Sequence, residues 1–136
     1  MWKQHTELWS GAMIRSFLAL LFIGTALSAV EWRSYDAALI EQKKSHKPLM
    51  LDIVRTNCHY CINMEKEVFE DKEMGAWIEK KFIPVKINID NTKPPLGISV
   101  SFTPSFFFVD DKGTILKKIP GSWNIEDFKD LTRNIK

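Results

Sequence analysis

The segment 48–69 most constrains the fold, because it places a Cys-x-x-Cys motif between an apolar run and a helical pattern. Residues 48–54 read Pro-Leu-Met-Leu-Asp-Ile-Val, residues 58–61 read Cys-His-Tyr-Cys, and residues 62–69 continue as a helix. The motif holds the only two cysteines of the 136-residue chain. A strand that leads directly into Cys58 places it at a helix N-terminus, where the helix dipole favours the thiolate. The pattern therefore predicts thiol–disulfide exchange.

Composition excludes several other classes of protein. A formal net charge of +2 indicates no bias toward nucleic acid. Two cysteines in one short motif do not form a disulfide scaffold. A structural zinc site needs about four ligands, and beyond residue 30 only His46 and His59 accompany the cysteine pair. We expect no metal and no cofactor other than a redox-active Cys58–Cys61 disulfide. Copper(I) bound by Cys58, His59 and Cys61 remains an alternative.

The N-terminal segment has the pattern of a secretory signal. Arg15 precedes the uncharged stretch Ser16–Val30, which contains the small residues Ser28 and Ala29. The stretch is 15 residues long, shorter than the roughly 20 that a spanning helix needs. We therefore expect a signal peptide over 1–29 and one domain over 30–136. Alternatives are a start at Met13 and an uncleaved inner-membrane anchor facing the periplasm.

The remaining sequence predicts the order α-β-α-β followed by β-β-α. Ser34, Asp71 and Asn124 are candidate helix N-caps. The strands follow from apolar runs and alternation, and Pro94-Pro95 excludes regular structure. The expected helices are 31–45, 62–69, 72–81 and a last one with Ile125, Phe128, Leu131 and Ile135 on its buried face. The expected strands are 48–54, 82–89, 105–109 and 114–119. A turn at 110–113 joins the last two strands.

Three residues outside the motif have chemistry that fits it. Asp52 lies within the apolar strand, where burial raises the pKa of a carboxyl group and enables it to take a proton from a thiol. Its alternative role is to accept hydrogen bonds from backbone amides. Pro104 precedes an aromatic strand and is a candidate cis-proline, or an ordinary trans proline. Glu65 follows Cys61 by one helical turn and either tunes the cysteine pair or is solvated.

Taken together, these stretches resemble the thioredoxin superfamily, and in particular the secreted branch with the C-terminal domain of DsbD and SoxW-like periplasmic thioredoxins. The matching residues are 47–52 (Lys-Pro-Leu-Met-Leu-Asp), 58–66 (Cys-His-Tyr-Cys-Ile-Asn-Met-Glu-Lys), 68–69 (Val-Phe), 102–108 (Phe-Thr-Pro-Ser-Phe-Phe-Phe) and 120–121 (Pro-Gly). The resemblance implies an α/β thioredoxin fold, a central mixed sheet flanked by helices, with the signal segment outside it.

The resemblance also implies roles for individual residues. Cys58 is the exposed nucleophile, Cys61 the buried resolving thiol, Asp52 the group that handles the proton of Cys61, and Pro104 the cis-proline beside the disulfide. The residues expected to surround the motif and contact the partner's backbone are Asn57, Tyr60, Phe102, Thr103, Gly121 and Trp123, the last two within the loop 121–123.

The chain departs from the family pattern at two places. Asn57 stands where a tryptophan usually precedes the first cysteine, and His59-Tyr60 replaces the Gly-Pro of the best-known reductants. A protonated His59 would stabilise the thiolate and make the disulfide more oxidising. Trp32, Trp77 and Trp123 are expected to be core or rim aromatics.

The expected function is a monomeric periplasmic thiol–disulfide oxidoreductase that reduces disulfides of exported proteins, such as apocytochromes c or sulfur-oxidation proteins. Its expected electron donor is an inner-membrane protein of the DsbD or CcdA type. An oxidase or isomerase, favoured by His59, is the first alternative. Others are an endoplasmic-reticulum relative, although the C-terminus is not of the KDEL type, and a binding module with an inert motif.

Overall fold

The computed structural model describes residues 29–136. The predicted signal segment lies almost entirely outside these residues. The elements, in order, are α1 Tyr35–Ser45, β1 Leu49–Val54, α2 His59–Met64, a π-helical turn Glu65–Phe69, α3 Lys72–Lys81, β2 Ile83–Asn88, a 3₁₀ turn Pro95–Gly97, β3 Ser105–Val109, β4 Ile115–Pro120 and α4 Ile125–Thr132. No helix among them is long and apolar enough to span a bilayer.

The four strands form one mixed sheet in the order β2-β1-β3-β4. β1 runs parallel to β2 and antiparallel to β3, and β4 is antiparallel to β3. Every residue of β1 is buried, as expected for a central strand covered on both faces. The predicted α/β thioredoxin fold with a mixed central sheet is confirmed.

The two faces of the sheet carry separate apolar layers. Leu49, Leu51 and Ile53 of β1 pack under α1, while Met50 faces a second layer with Phe106 and Phe108 of β3. That second layer also contains buried residues of α2, the π turn, α3 and α4, namely Met64, Val68, Phe69, Met74, Ile78 and Phe128. The segment after the cysteine motif is therefore fixed against the sheet by its own apolar side.

Local signals predict the helix starts well. The side chains of Ser34, Asp71 and Asn124 accept hydrogen bonds from backbone N–H groups at 3.2, 2.7 and 2.8 Å.

The predicted helix over 31–45 is wrong in its first residues. Residues 30–33 are not helical, and their end lies alongside β2. There the Arg33 N–H donates to the Pro84 carbonyl at 3.0 Å, and Arg33 forms an isolated β-bridge with Val85.

Three other predicted details differ from the structure. The helix predicted over 62–69 changes to π geometry at Glu65, where the Glu70 N–H donates to the Glu65 carbonyl at 2.8 Å. Such single-turn π segments are rare in α-helices and are frequently found at functional sites. The proline-containing loop has a short 3₁₀ turn, and Ile135 is buried but lies beyond the end of α4.

Candidate active site

Cys58 and Cys61 form a disulfide at the start of α2, with Cα atoms 5.2 Å apart. Cys58 is the N-cap of the helix, and its Sγ accepts a hydrogen bond from the Cys61 backbone N–H at 3.2 Å. The Thr103 hydroxyl donates to the same sulfur at 3.2 Å. Hydrogen bonds to a sulfur favour its anionic form. The arrangement therefore suits Cys58 to carry a thiolate.

The turn into the motif explains the asparagine at position 57. Asn57 has φ 55°, in the left-handed region that asparagine tolerates better than most residues. Two hydrogen bonds also stabilise this turn. The Thr56 N–H donates to the Asp90 carboxylate at 2.8 Å, and the Asn88 amide donates to the Thr56 hydroxyl at 3.0 Å. The asparagine that replaces the tryptophan of the family pattern therefore suits the backbone at this position.

The entry to β3 lies against the disulfide. The Thr103–Pro104 peptide bond is cis, the geometry that the sequence predicts. The Thr103 carbonyl oxygen lies 3.6 Å from the Cys58 sulfur, and the Pro104 carbonyl accepts a hydrogen bond from the Gly121 N–H at 2.9 Å. Three predicted site residues, Thr103, Pro104 and Gly121, are therefore brought together on one side of Cys58.

Asp52 is a buried acid at the centre of the sheet, with 2% of its surface exposed. In register it faces Lys86 of β2 and Phe106 of β3. Among residues 29–136 its Oδ1 finds no hydrogen-bond partner, so it does not bond backbone amides through that oxygen. Burial raises its pKa to about 7, the Lys86 ammonium opposes this rise and the Glu65 carboxylate adds to it. A carboxyl group with such a pKa can accept and return a proton near neutral pH.

A cleft of about 210 Å³ connects the disulfide to the two charges that act on Asp52. Its lining includes Cys58, Cys61, Glu65 and Lys86, and Glu65 and Lys86 form an ion pair. Glu65 is therefore ion-paired and only partly solvated, with 34% of its side chain exposed. Cys58 and Cys61 both line this cleft and are both half-buried, so the expected contrast between an exposed Cys58 and a buried Cys61 is not seen in the disulfide form.

A second and wider groove, of about 480 Å³, is lined in part by Tyr60 of the motif. Its lining combines two exposed aromatic side chains with small and polar ones: Tyr60, Asn63, Phe102, Thr103, Gly121 and Ser122. Tyr60 and Phe102 are 62% and 55% exposed. Large exposed aromatics beside a reactive pair are typical of a surface that contacts a partner.

The other predicted residues have distinct placements. Asn57 borders the smaller cleft rather than the groove. Trp123 is half-buried on the core, and its backbone N–H donates to the Met64 sulfur at 3.1 Å. His59 is exposed and lies edge-on to Tyr60, with ring centroids 5.7 Å apart. Contact of Asn57 and Trp123 with a partner remains a prediction.

Sequence reasoning missed several residues of the site. Lys86 appears in the sequence only as a polar position in an alternating strand, and its pairing with Glu65 depends on the parallel register of β1 and β2. Asn63 and Ser122 lack any distinctive pattern, although each neighbours a predicted site residue. Within the described part of the chain, no group of three or more histidine, cysteine or acidic side chains is placed to bind a metal.

Comparison with known proteins agrees with this geometry. A family model described as a thioredoxin-like domain matches residues 35–136. Anterior gradient protein 3 of Mus musculus is 27% identical over 96 residues, which is 70% of this chain and 58% of that protein. The chain thus spans little more than half the length of that relative.

Two solved structures have the same fold at low identity. The oxidoreductase DsbH has a TM-score of 0.67 and 20% identity, covering 79% of this chain and 85% of that one. The oxidised C-terminal domain of DsbD from Neisseria meningitidis has a TM-score of 0.58 and 17% identity, covering 74% and 91%. With the family match over residues 35–136, the chain belongs to the thioredoxin-like family.

Proposed function

We propose that this protein reduces disulfides of exported proteins in the periplasm. The observation that carries the proposal is a pair of acids near the motif: Asp52 is buried in β1, the strand that leads into it, and Glu65 lines the cleft that borders both cysteines. Nearby carboxylates disfavour thiolates. Because a stabilised thiolate is what makes a disulfide of this kind oxidising, carboxylates at this position favour a reducing pair.

The proposed reaction transfers two electrons from the dithiol to the substrate. The Cys58 thiolate attacks one substrate sulfur, the substrate disulfide breaks, and the first substrate thiolate leaves. Cys61 gives its proton to the Asp52 carboxylate and attacks the Cys58 sulfur, which releases the second substrate thiolate and forms the Cys58–Cys61 disulfide. The protons end on the substrate thiols. A protein dithiol, supplied by an inner-membrane donor of the DsbD or CcdA type, returns the pair to its reduced form.

The proposed location and partners rest on chemistry rather than on the relatives. Arg15 followed by an uncharged segment supports export. The groove with Tyr60 and Phe102 supports an unfolded or extended polypeptide substrate, which apocytochromes c and sulfur-oxidation proteins would provide. We propose that the protein acts on them as a monomer.

The reduction potential of the Cys58–Cys61 pair tests the direction of electron flow. We expect a value near or below about −220 mV, toward the reductive end of the range for this fold. The measurement equilibrates the purified protein in defined thiol buffers and traps free thiols with an alkylating reagent. A value of roughly −120 to −180 mV would contradict the reductase proposal and favour an oxidase or isomerase. The Thr103 hydroxyl bond to Cys58 and the exposed His59 support that second candidate.

Replacing Phe102 tests whether the wider groove binds polypeptide. Phe102→Ser removes an exposed apolar side chain from the groove, and we expect kcat/KM for insulin reduction to fall by roughly three- to tenfold, from the lost apolar contact area. Exchange with a small aromatic disulfide reagent should stay within about twofold, because Cys58 itself is unchanged. Ile40→Ser, at a 58% exposed position on α1, is the matched control. Equal loss with both substrates would show that Phe102 supports the site rather than binds the partner.

A further inference from the structure

Trp32 has a fixed position between the π turn and β2. The Val30 N–H donates to the Phe69 carbonyl and the Arg33 N–H to the Pro84 carbonyl, each at 3.0 Å. The indole packs edge-on against Phe69, with ring centroids 5.1 Å apart. Its ring is therefore held by backbone bonds on both sides and by an aromatic contact beneath it.

The exposed face of this ring carries a lysine. The Lys86 Nζ lies 4.2 Å from the centroid of the Trp32 ring and is also paired with the Glu65 carboxylate. A cation over the face of an aromatic ring is attracted by its quadrupole, most strongly for tryptophan. Lys86 is thus held from two sides, by an anion and by a π face.

The position of this ammonium matters for Asp52. Lys86 is the register partner of Asp52 across β1 and β2. The charged groups that act on Asp52 are Lys86 of β2 and Glu65 of the π turn, and both line the cleft that also borders the cysteine pair. Because Lys86 and Glu65 act on Asp52 in opposite directions, a small displacement of the ammonium changes the charge balance at the buried acid.

We propose that Trp32 is a positioning residue, whose ring face holds the Lys86 ammonium between Glu65 and Asp52 and so sets how readily Asp52 exchanges protons with the cysteine pair. The inference rests on the proposed role of Asp52 in disulfide exchange. Trp32 lies outside residues 35–136, the stretch that the family model matches.

The test is the titration midpoint of Asp52, followed through its carboxyl carbon by NMR in the disulfide form of the full chain. No cysteine titrates in that form, so the result does not depend on whether the protein is a reductase. Trp32→Leu keeps apolar volume but removes the ring, and we expect the midpoint to rise by roughly half a pH unit. Lys86→Met should raise it as well, and adding Trp32→Leu to Lys86→Met should produce no further rise.

Trp77→Leu is the matched control, because Trp77 also packs against the core and carries a lysine, Lys81, at 5.3 Å from its ring centroid. Trp77 and Lys81 do not border the cleft of the site, so the Asp52 midpoint should not move. An unchanged or lowered midpoint in Trp32→Leu would overturn the proposal, and so would an equal shift in the Lys86→Met background, which would indicate packing alone. If Trp32→Leu does not fold, Trp32→Phe should give a smaller rise, and no rise would be decisive against the proposal.

Discussion

Replacing Cys58 with serine is expected to reduce disulfide exchange by roughly a thousandfold or more, because a hydroxyl is not ionised near neutral pH and does not attack disulfides. Two donors, the Cys61 N–H and the Thr103 hydroxyl, converge on the Cys58 sulfur, which supports its predicted role as the nucleophile. The measurement is the rate of insulin reduction with a chemical dithiol as electron source.

Cys61→Ser is the matched variant and has a different expected outcome. It keeps the Cys58 thiol but removes the group that resolves the mixed disulfide, so a substrate should remain covalently attached to Cys58. The adduct is detected by mass spectrometry before and after addition of a reductant. Cys58→Ser with near-native activity, or with partner capture equal to that of the unaltered protein, would instead favour a binding module whose cysteine motif is inert.

The second large effect concerns stability and its dependence on pH. The pKa of Asp52 is about 7 in the folded protein, against 3.8 as its ordinary value, because burial disfavours the charged form. Between these two values the folded state binds more protons than the unfolded state. The free energy of unfolding therefore falls as pH rises from about 4 to about 7 and stays lower above that range. The destabilisation corresponds to up to about 4 kcal/mol.

Asp52→Asn removes this titration. We expect the variant to be more stable than the unaltered protein at pH 8, with a difference that shrinks as pH falls and is absent near pH 4. The gain should be less than the full linkage value, because the buried amide lacks some of its hydrogen-bond partners. The measurement is denaturant unfolding of the disulfide form at several pH values. Asp130→Asn, at an exposed aspartate on α4, controls for net charge.

The same variant should slow exchange while it gains stability. Without a carboxylate to take the Cys61 proton, the resolving step should slow by up to roughly a hundredfold near neutral pH. A variant that is less stable at pH 8, or that reacts at the native rate, would contradict the assignment of Asp52 as a buried proton carrier. The pairing of higher stability with lower rate is what distinguishes a functional acid from a structural one.

Local features of the sequence predicted much of this fold. The N-caps Ser34, Asp71 and Asn124 act within one helical turn, and the apolar run of β1 indicates burial wherever its neighbours lie. Residues 31–33 were misassigned because their conformation is decided by the hydrogen bonds of Val30 to Phe69 and of Arg33 to Pro84, which are distant in sequence. The π turn was missed for a similar reason, since it depends on how Val68 and Phe69 pack against the sheet.

The site residues that belong to a sequence motif could be predicted. Those that meet only through the pairing register of β1 and β2 could not. Cys58, Asp52 and Pro104 follow from spacing and from the family resemblance. Lys86 does not, because its importance arises only when parallel pairing places it opposite Asp52. Glu65 left two roles open for the same reason, and its ion pair with Lys86 on the cleft supports the role of tuning the cysteine pair.

The buried position of Val30 has a consequence for when a signal peptide can be removed. Val30 is buried, and its N–H is bonded to the Phe69 carbonyl at the end of the π turn. A signal peptidase that cuts after Ser28 or Ala29 must hold the chain on both sides of the bond in extended form. That chain is not accessible once Val30 has docked. Under the proposed export, cleavage therefore precedes the completion of folding. A delay in cleavage would delay the packing of Trp32 between the π turn and β2.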